Sequence, residues 1–205
     1  MKQNMVARRV MVCVVALTGA TAWAGSQYYD IDPSTAAIDG GTGNWGDSNW
    51  KAAADATEGA AWADGNAAYF EPIAGTPDNT AVTLSGAVTA DGVFFNGAGY
   101  TVSGGTLDTG PSGFVMAQPA TVGASLTRLL VYGNAELGIG GGGAVVGPAI
   151  VGRAGDNSRV RQTGGDVTVS SWLLIGGNNA ANARGAYTLD SGTLTASNGI
   201  SVGWG

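Results

Sequence analysis

From Val82 onward, hydrophobic and polar positions alternate with period two in short runs. In VTLSGAVTADGVFF, residues 82 to 95, the pairs Val82/Leu84, Val88/Ala90 and Val93/Phe95 alternate with polar or small residues, and Ser-Gly and Asp-Gly stand between them. Short alternating runs bounded by turn-forming residues predict strands. YTVSGGTL at Tyr100 is nearly repeated as YTLDSGTL at Tyr187. A third copy carries Leu130/Tyr132 and Leu137/Ile139, and a fourth carries Val160/Gln162, Val167/Val169 and Leu173/Ile175. The fifth, YTLDSGTLTASNGISVG, reads as three short strands separated by Asp190-Ser191-Gly192 and Ser197-Asn198-Gly199.

The first apolar residue after each glycine-rich turn falls at Val88, Leu107, Leu137, Val167 and Leu194, in steps of 19, 30, 30 and 27 residues. Irregular steps of this size suit a solenoid whose loops vary while its strands hold register. The predicted fold is therefore all-β: a right-handed parallel β-helix of about five irregular coils, three-sided in section and, at ~4.8 Å per coil, roughly 24 Å tall. The alternative is a β-sandwich, whose hairpins would use the same turns without repeating sequence. The inward residues expected are Tyr100, Val102 and Leu107; Leu130, Tyr132 and Leu137; Val160, Val167 and Val169; and Tyr187, Leu189 and Leu194. Gln162 breaks its column and is expected to lie near a corner or to bond a turn amide.

Before the repeats, residues 25 to 80 are aromatic, acidic and irregular. Tyr28, Tyr29, Trp45, Trp50, Trp62, Tyr69 and Phe70 are spread among Gly, Asp, Asn and Ala. Terminal repeats of a solenoid need an atypical cap, so this segment is expected to plug one end of the array, residues 81 to 205. Trp45, Trp50 and Trp62 are also the candidate carbohydrate contacts, since aromatic faces stack on sugars. Residues 1 to 24 have the layout of a secretory signal peptide: Lys2, Arg8 and Arg9, an apolar run from Val10 to Ala20, then Ala22-Trp23-Ala24. That run is short for a membrane span, and no spanning segment is expected in the mature chain.

Removal of the signal takes Cys13, the single cysteine, and there is no histidine. A Ser-His-Asp triad and an ordinary zinc site are then excluded. The full chain carries a net charge of −6, and the part after Ala24 carries −9. Residues 25 to 100 hold ten of the acidic residues against Lys51 alone. Phosphate backbones repel such a chain, so no nucleic-acid partner is expected. The run of glycines from Gly138 to Gly143 lacks the Lys-Ser/Thr of a P-loop. Asp30, Asp32 and Asp39 offer oxygens suited to calcium, but not in EF-hand spacing, and solvated turn carboxylates are the favoured reading. No cofactor is expected. The enzyme alternative is a β-helical polysaccharide lyase or glycosidase using Asp156, Arg159, Arg161, Asp166, Arg184 and Asp190. A glycosidase needs a carboxylate pair at ~5–9 Å, and Asp166 with Asp190 is the candidate. Solvated ion pairs at corners are the favoured account of the same residues.

GTGNWGDSNW (residues 41 to 50), AWADGNAAYF (61 to 70) and VTLSGAVTADGVFFNGAGYTVSGGTL (82 to 107) resemble the autotransporter-associated β-strand repeat proteins. QTGGDVTV with LLIGG, and YTLDSGTLTASNGISVG, are similar to the long exported bacterial repeat proteins that carry PEP-CTERM sorting tails. The resemblance implies a right-handed parallel β-helix, secreted or on a bacterial cell surface. It brings no catalytic residues with it. The expected function is a non-catalytic structural or adhesive stalk, with polysaccharide or another cell-surface protein as partner. The last coil reads as open-ended, which suggests a fragment or end-to-end self-association.

Overall fold

The computed structural model describes residues 25–73, 80–140, 143–145, 147, 149–153, 155–176 and 183–203. The signal peptide expected at residues 1 to 24 lies outside them, as does most of the NNAANAR loop. Among the described residues there is no helix. Strands β1 (Ser26–Tyr29), β2 (Gly43–Asn44), β3 (Trp50–Lys51) and β4 (Ala67–Phe70) come first. Then follow β5 (Thr80–Thr89), β6 (Gly92–Phe95), β7 (Tyr100–Asp108), β8 (Phe114–Met116), β9 (Ala120–Leu126), β10 (Leu129–Gly133) and β11 (Glu136–Ile139). The last are β12 (Gly143–Val145), β13 (Ala149–Val151), β14 (Asn157–Gln162), β15 (Asp166–Val169), β16 (Trp172–Ile175), β17 (Arg184–Leu189), β18 (Thr193–Ala196) and β19 (Gly199–Val202).

The strands stack into a 9-stranded sheet, β19-β16-β13-β10-β8-β6-β4-β1-β3, a 7-stranded sheet, β17-β14-β11-β9-β7-β5-β2, and a 3-stranded sheet, β12-β15-β18. Every named strand pair is parallel except β1 with β3. The chain is thus a β-solenoid, and the sandwich alternative falls. Parallel strands cannot be joined by tight hairpins, so the Ser-Gly and Asp-Gly sequences turn corners instead.

Two corner designs give the coil its shape. In the upper coils the long strands β5, β7 and β9 run past a corner, and their ladder shifts register at Leu84/Ala87 and at Ser103/Thr106. Such a bulge bends a strand without ending it. In the lower coils a glycine turn splits the same stretch in two, as between β14 and β15 or between β17 and β18. The third side expected from the sequence is the 3-stranded sheet that results.

Like residues stack on like. In the 7-stranded sheet, Val82, Val102, Val122, Ile139, Gln162 and Leu189 form one column. In the 9-stranded sheet, Ala68, Val93, Phe114, Val131, Val151, Ile175 and Val202 form another. Leu107, Leu137, Val160, Val167 and Val169 are buried as expected. Burying such columns stabilises the fold by roughly 25 cal/mol per Å² of apolar area.

Three sequence expectations need correction. A further turn, β8–β9, stands between the second and third copies, so the step from Leu107 to Leu137 hides a coil. Leu137 therefore pairs with Val160 and Ala120, not in the column of Leu107, which continues to Leu126. In β10 the residues of the central cluster are Leu129 and Val131. Leu130 and Tyr132 are also buried, 6% and 8% exposed, but on the opposite face, because a shift of one residue exchanges the faces of a strand. Tyr132 lies on the outer face under Arg153, whose guanidinium carbon is 4.7 Å from the ring centroid. Leu189 is 46% exposed, since no further strand lies over β17 among the described residues.

Candidate functional site

The residues from Ser26 to Lys51 fold back on the first coil rather than hanging beside it. β1 extends the 9-stranded sheet above β4, β3 closes it antiparallel, and β2 sits on Val82 and Thr83 of β5. The bore beneath is filled by rings. Trp45 and Trp50 are both 0% exposed, with centroids 4.9 Å apart, and each packs on Phe70, at 5.6 and 5.8 Å. Trp50 Nε1 donates to the Trp45 carbonyl at 2.6 Å. Phe70 stacks in turn on Phe95 at 4.9 Å. Burial pushes the Tyr29 hydroxyl up to about 12; the Asn49 side chain acts against this, and Asp47 and Asp30 add to it.

Under the cap loop lies a buried ion pair that sequence reading missed. Lys51 Nζ is 3.0 Å from Asp30 Oδ2, with both side chains 0% exposed. Its other hydrogens go to the carbonyls of Thr35 at 3.0 Å and Ala37 at 3.2 Å. Asp30 Oδ1 accepts from the amides of Asp32 and Asp39. The carboxylates weighed for calcium are thus engaged: Asp30 by Lys51, Asp32 by Ser34, and Asp39 by Thr35. No group of three metal-ligating side chains is found among the described residues. A lone lysine facing an Asp-x-Asp run was the one available signal.

Of the three candidate sugar contacts, Trp45 and Trp50 have no free face. Trp62 is half-buried, lying 5.2 Å from Trp45 and 4.6 Å from Trp50 between centroids. Its Nε1 donates to Asp64 Oδ1 at 3.0 Å, and the Thr89 amide donates to the same oxygen at 3.1 Å. A cavity of about 330 Å³ opens there, lined by Trp45, Gly46, Trp62, Asp64 and residues 85 to 88. β2 covers β5 only at Val82 and Thr83, so among the described residues no strand lies above the bulged half of β5. A smaller concavity of about 190 Å³ lies over Tyr100, Ala120 and Gly138, with Glu136 as its charged residue.

The residues considered for sugar cleavage are engaged as follows. Arg161 Nε binds Asp190 Oδ2 at 2.6 Å, both well exposed. Asp166 Oδ1 accepts from the Thr193 hydroxyl at 2.5 Å. Asp156 accepts from the Gly133 amide at 3.0 Å and lies 3.5 Å from Arg153. Arg159 stands opposite Glu136, and Arg184 opposite Asn157, across strands. Each of these three carboxylates has a hydrogen-bonding or charged partner. Gln162 is buried at a corner, the first of its two expected places, and it bonds turn carbonyls. Nε2 donates to Gly165 at 2.8 Å and Thr193 at 3.0 Å, while Oε1 accepts from Tyr187 at 2.7 Å.

No family model matches the chain. No solved structure matches it either. Among curated proteins, Adhesin BmaC autotransporter from Brucella suis biovar 1 (strain 1330) is 32% identical over 195 residues. That match covers 91% of this chain and 5% of the adhesin, so the chain spans about a twentieth of its relative. A solenoid with this similarity fits an autotransporter-type β-helix.

Proposed function

We propose that the chain is a non-catalytic, exported β-helical segment that serves as an adhesive or structural column on a bacterial cell envelope. Similarity to an adhesin along 91% of the chain carries this reading. The fold supports it: an uninterrupted column displays loops at fixed spacing, as an extended contact surface requires.

In this reading residues 1 to 24 direct export and are removed after Ala24. The test is to coat beads with the purified chain and count those retained on epithelial cells or on bacterial exopolysaccharide. Retention well above albumin-coated beads is expected. Retention equal to albumin on both surfaces overturns adhesion.

A further inference from the structure

We propose that the cavity between Trp62, Asp64 and the bulge of β5 is a binding site for a single neutral sugar ring, with Trp62 as the stacking platform. This rests on the adhesive reading and names its ligand class. Four observations carry it. Trp62 is a half-buried indole whose orientation is fixed from both sides, by the Trp45–Trp50 floor and by its bond to Asp64. A stacking platform that is already immobilised loses little freedom on binding. Asp64 Oδ1 takes both the Trp62 and Thr89 hydrogens, which leaves Oδ2 as an acceptor for a ligand hydroxyl.

The cavity has the right wall chemistry as well. At about 330 Å³ it stands at the small end of the ligand-pocket range of ~300–1,000 Å³. One wall is aromatic, with Val88 adding apolar surface, while Asp64 and Ser85 supply oxygens. That mixture of an apolar face and a few placed polar groups suits a pyranose, whose C–H face lies on the ring while its hydroxyls point to the rim. Charge selects further. Asp64 lines the cavity and Asp47 lies in the adjoining turn, where it accepts from Asn44. Uronic acids are repelled, so the ligand is neutral.

Gly46 and Gly86 provide a control. A Cβ at either meets nothing within 4 Å, and neither has positive φ. Gly86 lines the cavity, and Gly86→Phe is the substitution chosen to fill it while leaving the aromatic floor unchanged. The test is titration of the purified full chain with methyl glycosides of glucose, galactose, mannose and N-acetylglucosamine, and with glucuronate. The readout is the indole N–H signals in ¹H–¹⁵N spectra. At least one neutral glycoside is expected to shift Trp62 saturably, with a Kd of about 1 mM, and to leave exposed Trp172 unmoved. Gly86→Phe is expected to weaken that binding at least about tenfold, a loss of ~1.4 kcal/mol, with its thermal transition unchanged. Trp62→Ala is expected to weaken it likewise, followed there by the indole signals of the adjacent Trp45 and Trp50.

Absence of a Trp62 shift with all four glycosides overturns the site, as does a shift that survives Gly86→Phe. Equal binding of glucuronate overturns the neutral assignment. The bead assay separates the two readings. Beads carrying Gly86→Phe that adhere like the parent remove the site from adhesion and leave the adhesin reading standing. Parent beads that fail to adhere, while glycosides still shift Trp62, overturn the adhesin and keep the site.

Discussion

At the scale of single residues, Lys51 and Asp30 form the sharpest case. Two charges out of water are tolerated only when each hydrogen and lone pair finds a partner. Lys51 meets that demand with Asp30 and two carbonyls, and thereby ties β3 to the loop from Thr35 to Ala37. Lys51→Met leaves the Asp30 carboxylate buried and unpaired, so a loss of ~3–5 kcal/mol is expected in urea unfolding. Adding Asp30→Asn is expected to restore part of that loss. Asp108 gives a pH signature. Its burial would raise the carboxyl, but the Gly110 amide and the Arg128 guanidinium outweigh this and hold it below the usual 3.8. A depressed carboxylate contributes stability above its unfolded pKa, and the contribution fades as pH falls through the folded value. The parent is therefore expected to lose more stability than Asp108→Asn between about pH 5 and pH 2. Thermal melts across that range would check it, and parallel curves would contradict it.

At the scale of the element, a coil, sequence and structure agree on strands and turns more than on register. The alternation around Val82, Val102, Val160 and Val167 marked buried faces correctly, because one face meets the core and the other meets water. It failed at Leu129-Leu130-Val131-Tyr132, where four apolar residues in a row carry no alternation. There the inward pair is chosen by the neighbours Phe114 and Val151 above and below. The candidate site was half legible. The aromatic density from Trp45 to Phe70 pointed to it, but which indole keeps a free face depends on the fold-back of β2 and β3. Turn glycines were legible for a local reason. Gly192 has φ 90°, and a Cβ there would collide with the Gly165 carbonyl of the coil above. Gly192→Ala combines backbone strain with that clash, so a loss of at least ~1–3 kcal/mol is expected, read as a lowered urea midpoint. A midpoint equal to the parent's would mean that the corner is not close-packed.

At the scale of the whole molecule, the two ends of the column differ in how their apolar columns terminate. Above β4 and β5 the rings of Tyr29, Trp45 and Trp50 close the bore, and all three are fully buried. At β17, β18 and β19 the columns reach their last described strands. There Leu189, Ile200 and Val202 are 46%, 48% and 73% exposed, although their counterparts one coil higher are buried. In a solenoid, each coil is stabilised mainly by its nearest neighbours. A coil with a neighbour on one face holds about half the interface of an inner coil, and its strand edges meet water. In the purified 205-residue chain, opening should then begin at β17–β19 and stop where coils are covered on both faces. Native-state hydrogen exchange is expected to show amides of β17–β19 exchanging at least ~100-fold faster than those of β7, β9 and β11, with β1 and β4 nearer the inner coils. Equal protection along the column would contradict this, and would mean that the chain unfolds as one cooperative unit. Protection falling off at both ends alike would instead show that the aromatic closure contributes no more than an ordinary edge. That outcome would also loosen the floor on which Trp62 rests.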